Sequence, residues 1–172
     1  MKKLEHEPSH FLSGTIDEHN VESAIKWIVD LNAKGIGTVC TLYINSDGGS
    51  VNDAFALADI MRISKTPIST VAIGSLMSSA LLIFAAGFTT ARSVSKNTSI
   101  MMHQFNHEYA GKYHDMKSYA KEIDRINDRM VDLIHINSNL TQDDVKRIIV
   151  TPTDVWFTAN DLVHYGIADY IF

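Results

Sequence analysis

The sequence has very little cysteine, with Cys40 as its single thiol in 172 residues. One cysteine excludes an internal disulfide and suits a reducing compartment. Cys40 lies in an apolar, strand-like run, where a small buried hydrophobe is expected rather than a reactive thiol. The first ten residues contain two lysines but no apolar segment after them, so no secretory signal is expected. We therefore predict a cytoplasmic location.

The sequence also lacks a large charge of either sign. Its net charge is −5 and its pI is near 5.8, which provides no basic surface for nucleic acid. Charged residues are missing altogether between Lys65 and Arg92, and an uncharged segment of this length can span a membrane. The glycine, serine and threonine residues inside it, and the different hydrophobic periods of its two halves, argue against a span. We expect neither a nucleic-acid partner nor a membrane.

Known motifs for nucleotides and metals are missing too. The pair Gly48-Gly49 precedes a helical pattern, but no GxGxxG or Walker pattern surrounds it. His107, Glu108 and His114 match neither HExxH nor a zinc-finger spacing. We expect no cofactor and no metal.

What the sequence contains is an alternation of strand and helix patterns without internal repeats or low-complexity linkers. Its length fits one domain over residues 1–172. The first half of the chain predicts three strands, at 11–16, 38–45 and 69–73, and the third of these ends at Gly74. A helix follows each strand: the first is capped by Asp17, the second by Ser50 with Asp53, and the third begins at about Ser78.

The second half predicts two short strands, at 90–94 and 99–104, lying side by side with a turn between them. The longest helix follows, from Tyr113 to about Asn137, and Thr141 and Thr158 cap two further short helices. The long helix carries a narrow apolar seam, which favours packing against a partner helix. The seam consists of Met116, Tyr119, Ile123, Ile126, Met130 and Leu133.

The stretch from Val71 to Gly87 passes directly from a strand pattern to a helix pattern. Ser78 and Ser79 stand where the helix begins, and the free backbone N–H groups of a helix start favour developing negative charge. A nucleophile elbow is built in this way. Serine is also a common N-cap residue, and the local pattern leaves this alternative open.

Two other residues fit catalysis if the fold brings them to this junction. The N–H of Gly49 is unobstructed by a side chain and could stabilise a reacting centre beside the Ser78 helix, although a plain βα turn explains the glycine equally well. His103 ends an apolar strand, at a sheet edge where catalytic groups are displayed. A structural histidine is the alternative there.

Four motifs then stand in one order along the chain: TLYINSDGGSV, IGSLMSSA, IMMHQ and TDVWFTANDLVHYGIAD. Together they resemble the ClpP family of self-compartmentalising serine peptidases, in register from about Phe11 to Ile171. The resemblance implies an α/β fold of stacked ββα units shared with the crotonases. It also implies a projecting handle helix over about 113–139, which agrees with the apolar seam.

Carried over position by position, the resemblance implies that Ser78 is the nucleophile, His103 the general base and Asp154 the carboxylate that orients it. The backbone N–H groups of Gly49 and Ser79 would form the oxyanion hole. The resemblance further implies a homo-oligomer, a heptamer or double heptamer enclosing a chamber, and an AAA+ unfoldase of the Clp type. The expected function is therefore a serine endopeptidase that hydrolyses unfolded polypeptides or peptides inside that chamber.

The sequence departs from the family pattern at several positions beside the motifs. Asp47 replaces a proline, Ser79 a methionine, Phe105 a proline and Val155 an arginine of the ring-to-ring contacts. These changes, with the short segment before the first predicted strand, motivate an alternative: an inactive ring-forming homologue that acts as a structural or regulatory subunit. A crotonase-like acyl-CoA enzyme is a further alternative, but such an enzyme needs no activated serine.

Overall fold

The structure, a computed structural model, describes residues 7–106, 108, 110–149 and 153–172. The strands are β1 Ser9–Ser13, β2 Cys40–Ser46, β3 Ile68–Met77, β4 Arg92–Val94, β5 Ser99–Met102, β6 Val155–Phe157 and β7 Tyr170–Ile171. The helices are α1 Glu18–Ala33, α2 Val51–Ile63, α3 Ser79–Ala85, α4 Tyr113–Ile136, α5 Gln142–Ile149 and α6 Ala159–His164. The predicted α/β class is confirmed.

One mostly parallel sheet organises these strands, in the order β1-β2-β3-β4-β7. Strand β5 pairs in parallel with the second half of β3, and β6 pairs antiparallel with β5. The prediction that the strands at 90–94 and 99–104 lie side by side is wrong. In the described part of the chain both pair with β3 instead, β4 along Thr70–Ala72 and β5 along Ser75–Met77, because β3 is long enough to accept two neighbours in succession.

Strand β3 continues beyond Gly74, where the sequence pattern predicted its end. Gly74 has a φ of +65°, and the register between β2 and β3 shifts at this point. The side-chain Oδ1 of Asn45 accepts the N–H of Ser75 at 3.0 Å, which replaces a bond that the regular ladder loses there. The irregularity bends the strand without ending it, so β3 reaches Met77 and presents Ser78 at its end.

The uncharged segment between Lys65 and Arg92 lies in the hydrophobic core. It supplies all of β3 and all of α3, and every residue of α3 is buried. A helix that is apolar on all sides packs inside a protein. Among the described residues, no helix combines the length and the apolar character that a membrane span requires.

Helix starts follow the capping residues that the sequence predicts. The side chains of Asp17, Ser50, Thr141 and Thr158 each accept the backbone N–H three residues later, at 2.9, 3.3, 3.1 and 3.2 Å. The capping box proposed at Ser50 is only half formed, because the N–H of Ser50 donates to the carbonyl oxygen of Ile16 at 2.8 Å. This bond ties the start of α2 to the segment after β1.

Helix α4 is buried only in its C-terminal half. Its buried residues are Ile126, Met130, Val131 and Ile134. In the first turn, Tyr113 and Met116 are 68% and 43% exposed. The predicted seam is therefore covered at one end of the helix and open at the other.

Cys40 is fully buried at the start of β2, as its apolar surroundings predicted. Burial raises the pKa of its thiol. A thiol with a raised pKa has little thiolate near neutral pH and is a poor nucleophile.

Candidate active site

Ser78 occupies a sharp turn between β3 and α3. Its φ of 52° and ψ of −128° lie outside the regions that non-glycine residues normally adopt. The N–H of Ser78 donates to the carbonyl oxygen of Met101 at 2.9 Å, which holds the turn against β5. Ser78 is the N-cap residue of α3, but its side chain makes no capping hydrogen bond, so the helix does not need a serine there.

A cavity of about 310 Å³ borders this turn. Its wall includes Gly49, Ser78, Ser79 and His103, which are four of the five residues predicted for the site. A larger cavity, of about 620 Å³, lies between α2 and α4 and contains none of the five. The fold therefore brings three separate segments of the predicted site to one small cavity.

Two backbone donors on the wall of this cavity have no acceptor among the described residues. Around Gly49, the N–H of Ile16 donates to the carbonyl oxygen of Gly48 at 2.9 Å, and the carbonyl oxygen of Ile16 accepts from Ser50. The N–H of Gly49 lies between these bonds and donates to no described residue. The N–H of Ser79 is likewise unpaired within the described chain, since the first N–H groups of a helix have no intrahelical acceptor.

Glycine is required at position 48 by the close approach of the β2–α2 turn to Ser78. A Cβ atom at Gly48 would lie 2.7 Å from the Cβ and 3.3 Å from the Oγ of Ser78, and the φ of Gly48 is +97°. The missing side chain lets the turn that carries the Gly49 donor pack directly against the candidate nucleophile. Two N–H donors beside a serine can stabilise an oxyanion that forms on the atom it attacks.

His103 is the first residue after β5 and borders the same cavity. Its Nδ1 atom lies 2.6 Å from the carbonyl oxygen of Gln104. Because a carbonyl oxygen only accepts hydrogen bonds, Nδ1 carries the hydrogen in this contact. In a neutral imidazole the other nitrogen, Nε2, then has the lone pair that a general base needs.

Asp154 lies near His103 along the sheet but outside the cavity wall. In the antiparallel pair β5–β6 the terminal partners are Met102 and Val155, so His103 and Asp154 follow at the same end of the two strands. Asp154 is exposed, and it makes no hydrogen bond or ion pair with any described residue, His103 included. The structure thus brings four predicted site residues together and leaves the fifth on the neighbouring surface.

Two polar groups at the cavity were not assigned a role from the sequence. Asp47 lies on the wall, and its carboxylate accepts a hydrogen bond from the hydroxyl of Ser75. The hydroxyl of Ser79 is buried and has no hydrogen-bond partner among the described residues. The only sequence signal for either residue is its departure from the family motif. His107, from the discounted metal pattern, lies outside the described residues.

Comparison with known proteins identifies the relatives of this chain. A family model described as Clp protease matches residues 1–172. The chain belongs to the Clp protease family. A curated relative, the ATP-dependent Clp protease proteolytic subunit of Deinococcus radiodurans, is 27% identical over 161 residues, covering 94% of this chain and 78% of the relative.

Membership of the Clp protease family confirms the resemblance found in the motifs and the α/β fold class that it implied. It also confirms the general prediction of a serine-type peptidase. The same match favours a peptidase over the acyl-CoA enzyme that the sequence left as an alternative. In this Clp protease, the cavity beside Ser78 holds a hydroxyl, an imidazole and two backbone donors. These are the groups that acyl transfer requires.

Proposed function

We propose that the chain is a serine endopeptidase that hydrolyses peptide bonds of unfolded polypeptides or peptides. One observation carries the proposal. Ser78, in a strained turn, shares a cavity with His103 and with the unpaired N–H groups of Gly49 and Ser79. Strained backbone conformations of this kind cluster at functional sites.

The proposed mechanism follows from what each group can do. The Ser78 oxygen attacks the substrate carbonyl carbon while its proton passes to Nε2 of His103, because a serine hydroxyl is a weak nucleophile near neutral pH. The N–H groups of Gly49 and Ser79 donate to the resulting oxyanion, and loss of one such donor costs about 3 kcal/mol of barrier in other enzymes. His103 then protonates the leaving amine, and water hydrolyses the acyl-enzyme.

Asp154 is proposed to orient His103 and to stabilise the imidazolium that forms. This role requires Nδ1 of His103 to exchange its bond with the Gln104 carbonyl for one with the Asp154 carboxylate. Asp154 directly precedes β6, beside the end of β5 that His103 follows, which supports that exchange. A turn of the imidazole ring, with a shift of the segment before β6, is the change that would complete the triad.

We further propose that the chain works as a homo-oligomeric ring, a heptamer or double heptamer, which receives substrate from a Clp-type AAA+ unfoldase. The open apolar end of α4, at Tyr113 and Met116, supports contact with a second helix of this kind. The relative from Deinococcus radiodurans is described as ATP-dependent, which supports an ATPase partner. Sedimentation velocity of the purified chain measures the assembly, and a monomer at micromolar concentration would contradict the ring.

The peptidase proposal is tested by replacing Ser78 with Ala. The wild type is expected to hydrolyse a fluorogenic peptide and to be labelled by a serine-directed phosphonate, while Ser78→Ala does neither. Ser99→Ala, at the exposed start of β5, serves as the matched control and should keep both properties. Equal hydrolysis by wild type and Ser78→Ala would reject the proposal.

One observation favours the second candidate, an inactive ring-forming homologue with a structural or regulatory role. Asp154 does not line the cavity and makes no hydrogen bond with His103 among the described residues, so the triad is open in this arrangement. This candidate predicts ring-sized particles that are not labelled at Ser78 and do not cleave any peptide of a mixed library. Labelling of Ser78 would exclude it.

A further inference from the structure

On its described wall, the cavity beside Ser78 carries one acidic side chain, the carboxylate of Asp47. Asp47 is the first residue after β2 and directly precedes Gly48, the glycine that packs against Ser78. It is exposed at the cavity and is fixed by the hydroxyl of Ser75, which donates to its Oδ1. A carboxylate accepts about four hydrogen bonds, so this contact leaves most of its acceptor capacity unused.

No positive charge compensates Asp47 in the described part of the chain. The carboxylate forms no ion pair there, and neither lysine nor arginine contributes to the described cavity wall. His103 is the other titratable group on the wall, and it acts as a base only while neutral. A substrate group that enters the cavity therefore meets a net negative charge.

The hydroxyl of Ser79, another residue of this wall, does not add to the polar surface of the cavity. It is buried, its residue being 2% exposed, and has no hydrogen-bond partner among the described residues. Because this oxygen is shielded in this arrangement, it offers no acceptor to a group that enters the cavity. The uncompensated carboxylate of Asp47 alone favours a substrate group that is cationic and rich in donors.

We propose that Asp47 is a specificity-determining residue, which makes the cavity selective for a lysine or arginine side chain of the substrate beside the scissile bond. This inference rests on the peptidase function proposed above. In the complex the Asp47 carboxylate pairs with the ammonium or guanidinium group, while Ser75 holds the carboxylate in place. Attraction between two opposite charges a few ångströms apart favours such a substrate at low salt. Added salt screens this attraction and weakens the preference.

The test compares two fluorogenic peptide series that differ only at the residues flanking the scissile bond, which are lysine in one and the uncharged norleucine in the other. For the wild type we expect kcat/KM to be about tenfold higher for the best lysine peptide than for its norleucine match. Asp47→Asn keeps an acceptor for Ser75 but removes the charge, and should bring this ratio close to one. Asp47→Glu should restore part of the preference.

Asp59→Asn is the matched control, since Asp59 is an exposed acid that pairs with Arg62 away from this cavity. It should leave the lysine to norleucine ratio unchanged. Taking a ratio within each variant cancels any general loss of activity or folding. A ratio near one in the wild type, or a ratio that Asp47→Asn does not change, would overturn the proposal while the peptidase function stands.

Binding gives a readout that does not depend on hydrolysis. The Ser78→Ala chain should bind a fluorescent lysine peptide more tightly than its norleucine match at low salt, and the difference should shrink in 0.5 M salt, as expected with a Debye length of about 4–5 Å. If no peptide is cleaved by the wild type, the peptidase proposal fails first. Equal binding of the two peptides would then also overturn the role of Asp47.

Discussion

The Nδ1 atom of His103 donates to the carbonyl oxygen of Gln104 over 2.6 Å. This contact orients the imidazole so that Nε2 has the free lone pair, the state in which it can accept the proton of Ser78. It also occupies the nitrogen that Asp154 is proposed to bind. Gln104 therefore holds the tautomer of His103 in this arrangement, while the carboxylate of Asp154 remains on the surface.

Asp154→Asn tests whether the carboxylate takes over from Gln104 during catalysis. If it does, kcat for a peptide substrate should fall by about 10²- to 10⁴-fold with little change in KM, because the imidazolium loses its stabilising charge. Steady-state kinetics on the wild type and the variant measure kcat and KM separately. Asp143→Asn, an exposed acid in the first turn of α5, is the control. A variant with wild-type kcat would show that the Gln104 contact is sufficient and that Asp154 has no catalytic role.

The backbone strain at Ser78 should be measurable as a loss of stability. A non-glycine residue at a φ of 52° and a ψ of −128° costs about 1–3 kcal/mol. Ser78→Gly should therefore be more stable than Ser78→Ala by about that amount, while both are inactive. Urea unfolding followed by far-UV circular dichroism gives the two free energies. Equal stability of the two variants would show that this turn is not strained.

Gly48→Ala is expected to damage both stability and the site. The new Cβ would lie 2.7 Å from Cβ of Ser78 and 2.8 Å from the carbonyl oxygen of Met77, at a positive φ. We expect the free energy of unfolding to fall by more than about 1 kcal/mol and phosphonate labelling of Ser78 to slow. Gly37→Ala is the control, because its Cβ would contact nothing within 4 Å. Unchanged labelling of Gly48→Ala would contradict the close approach.

The ion pair of Asp169 with Arg92 should appear in the pH dependence of stability. The Arg92 side chain is 4% exposed and donates to both carboxylate oxygens of Asp169. Burial alone would raise the pKa of Asp169, but the hydrogen bonds from Arg92 outweigh it and hold the pKa below the usual 3.8. The pair therefore stabilises the fold fully above that value and loses its contribution as the pH falls through the lower folded-state pKa.

The free energy of unfolding of Asp169→Asn should accordingly be about 3–5 kcal/mol lower than that of the wild type at pH 7, because Arg92 is left buried without its counter-charge. The difference between the two proteins should shrink as the pH falls below 3.8. Urea unfolding across the pH range provides the values, with Asp59→Asn, from an exposed pair, expected to cost less than about 1 kcal/mol. A difference that stays constant down to pH 2.5 would contradict the assigned pKa shift.

Features that depend on neighbours within a few residues could be predicted from the amino-acid sequence. Asp17 and Thr158 cap their helices through N–H groups three residues away, so these helix starts could be located without a structure. The change from strand to helix pattern placed the turn at Ser78, and the order of the motifs led to the family. For these features the deciding interactions are short in sequence and leave a local pattern.

Features that depend on distant segments could not be predicted in this way and became visible in the folded chain. Strand β3 continues past Gly74 because Asn45, 30 residues earlier, accepts the N–H of Ser75. The hydroxyl of Ser75, which follows Gly74, donates to the carboxylate of Asp47 at the cavity, and no periodicity in the sequence signals that contact. The position of Asp154 beyond the cavity wall depends on where β6 begins against the end of β5. Side-chain contacts between strands that are far apart in the chain carry no local pattern, so they appear only when the chain is folded.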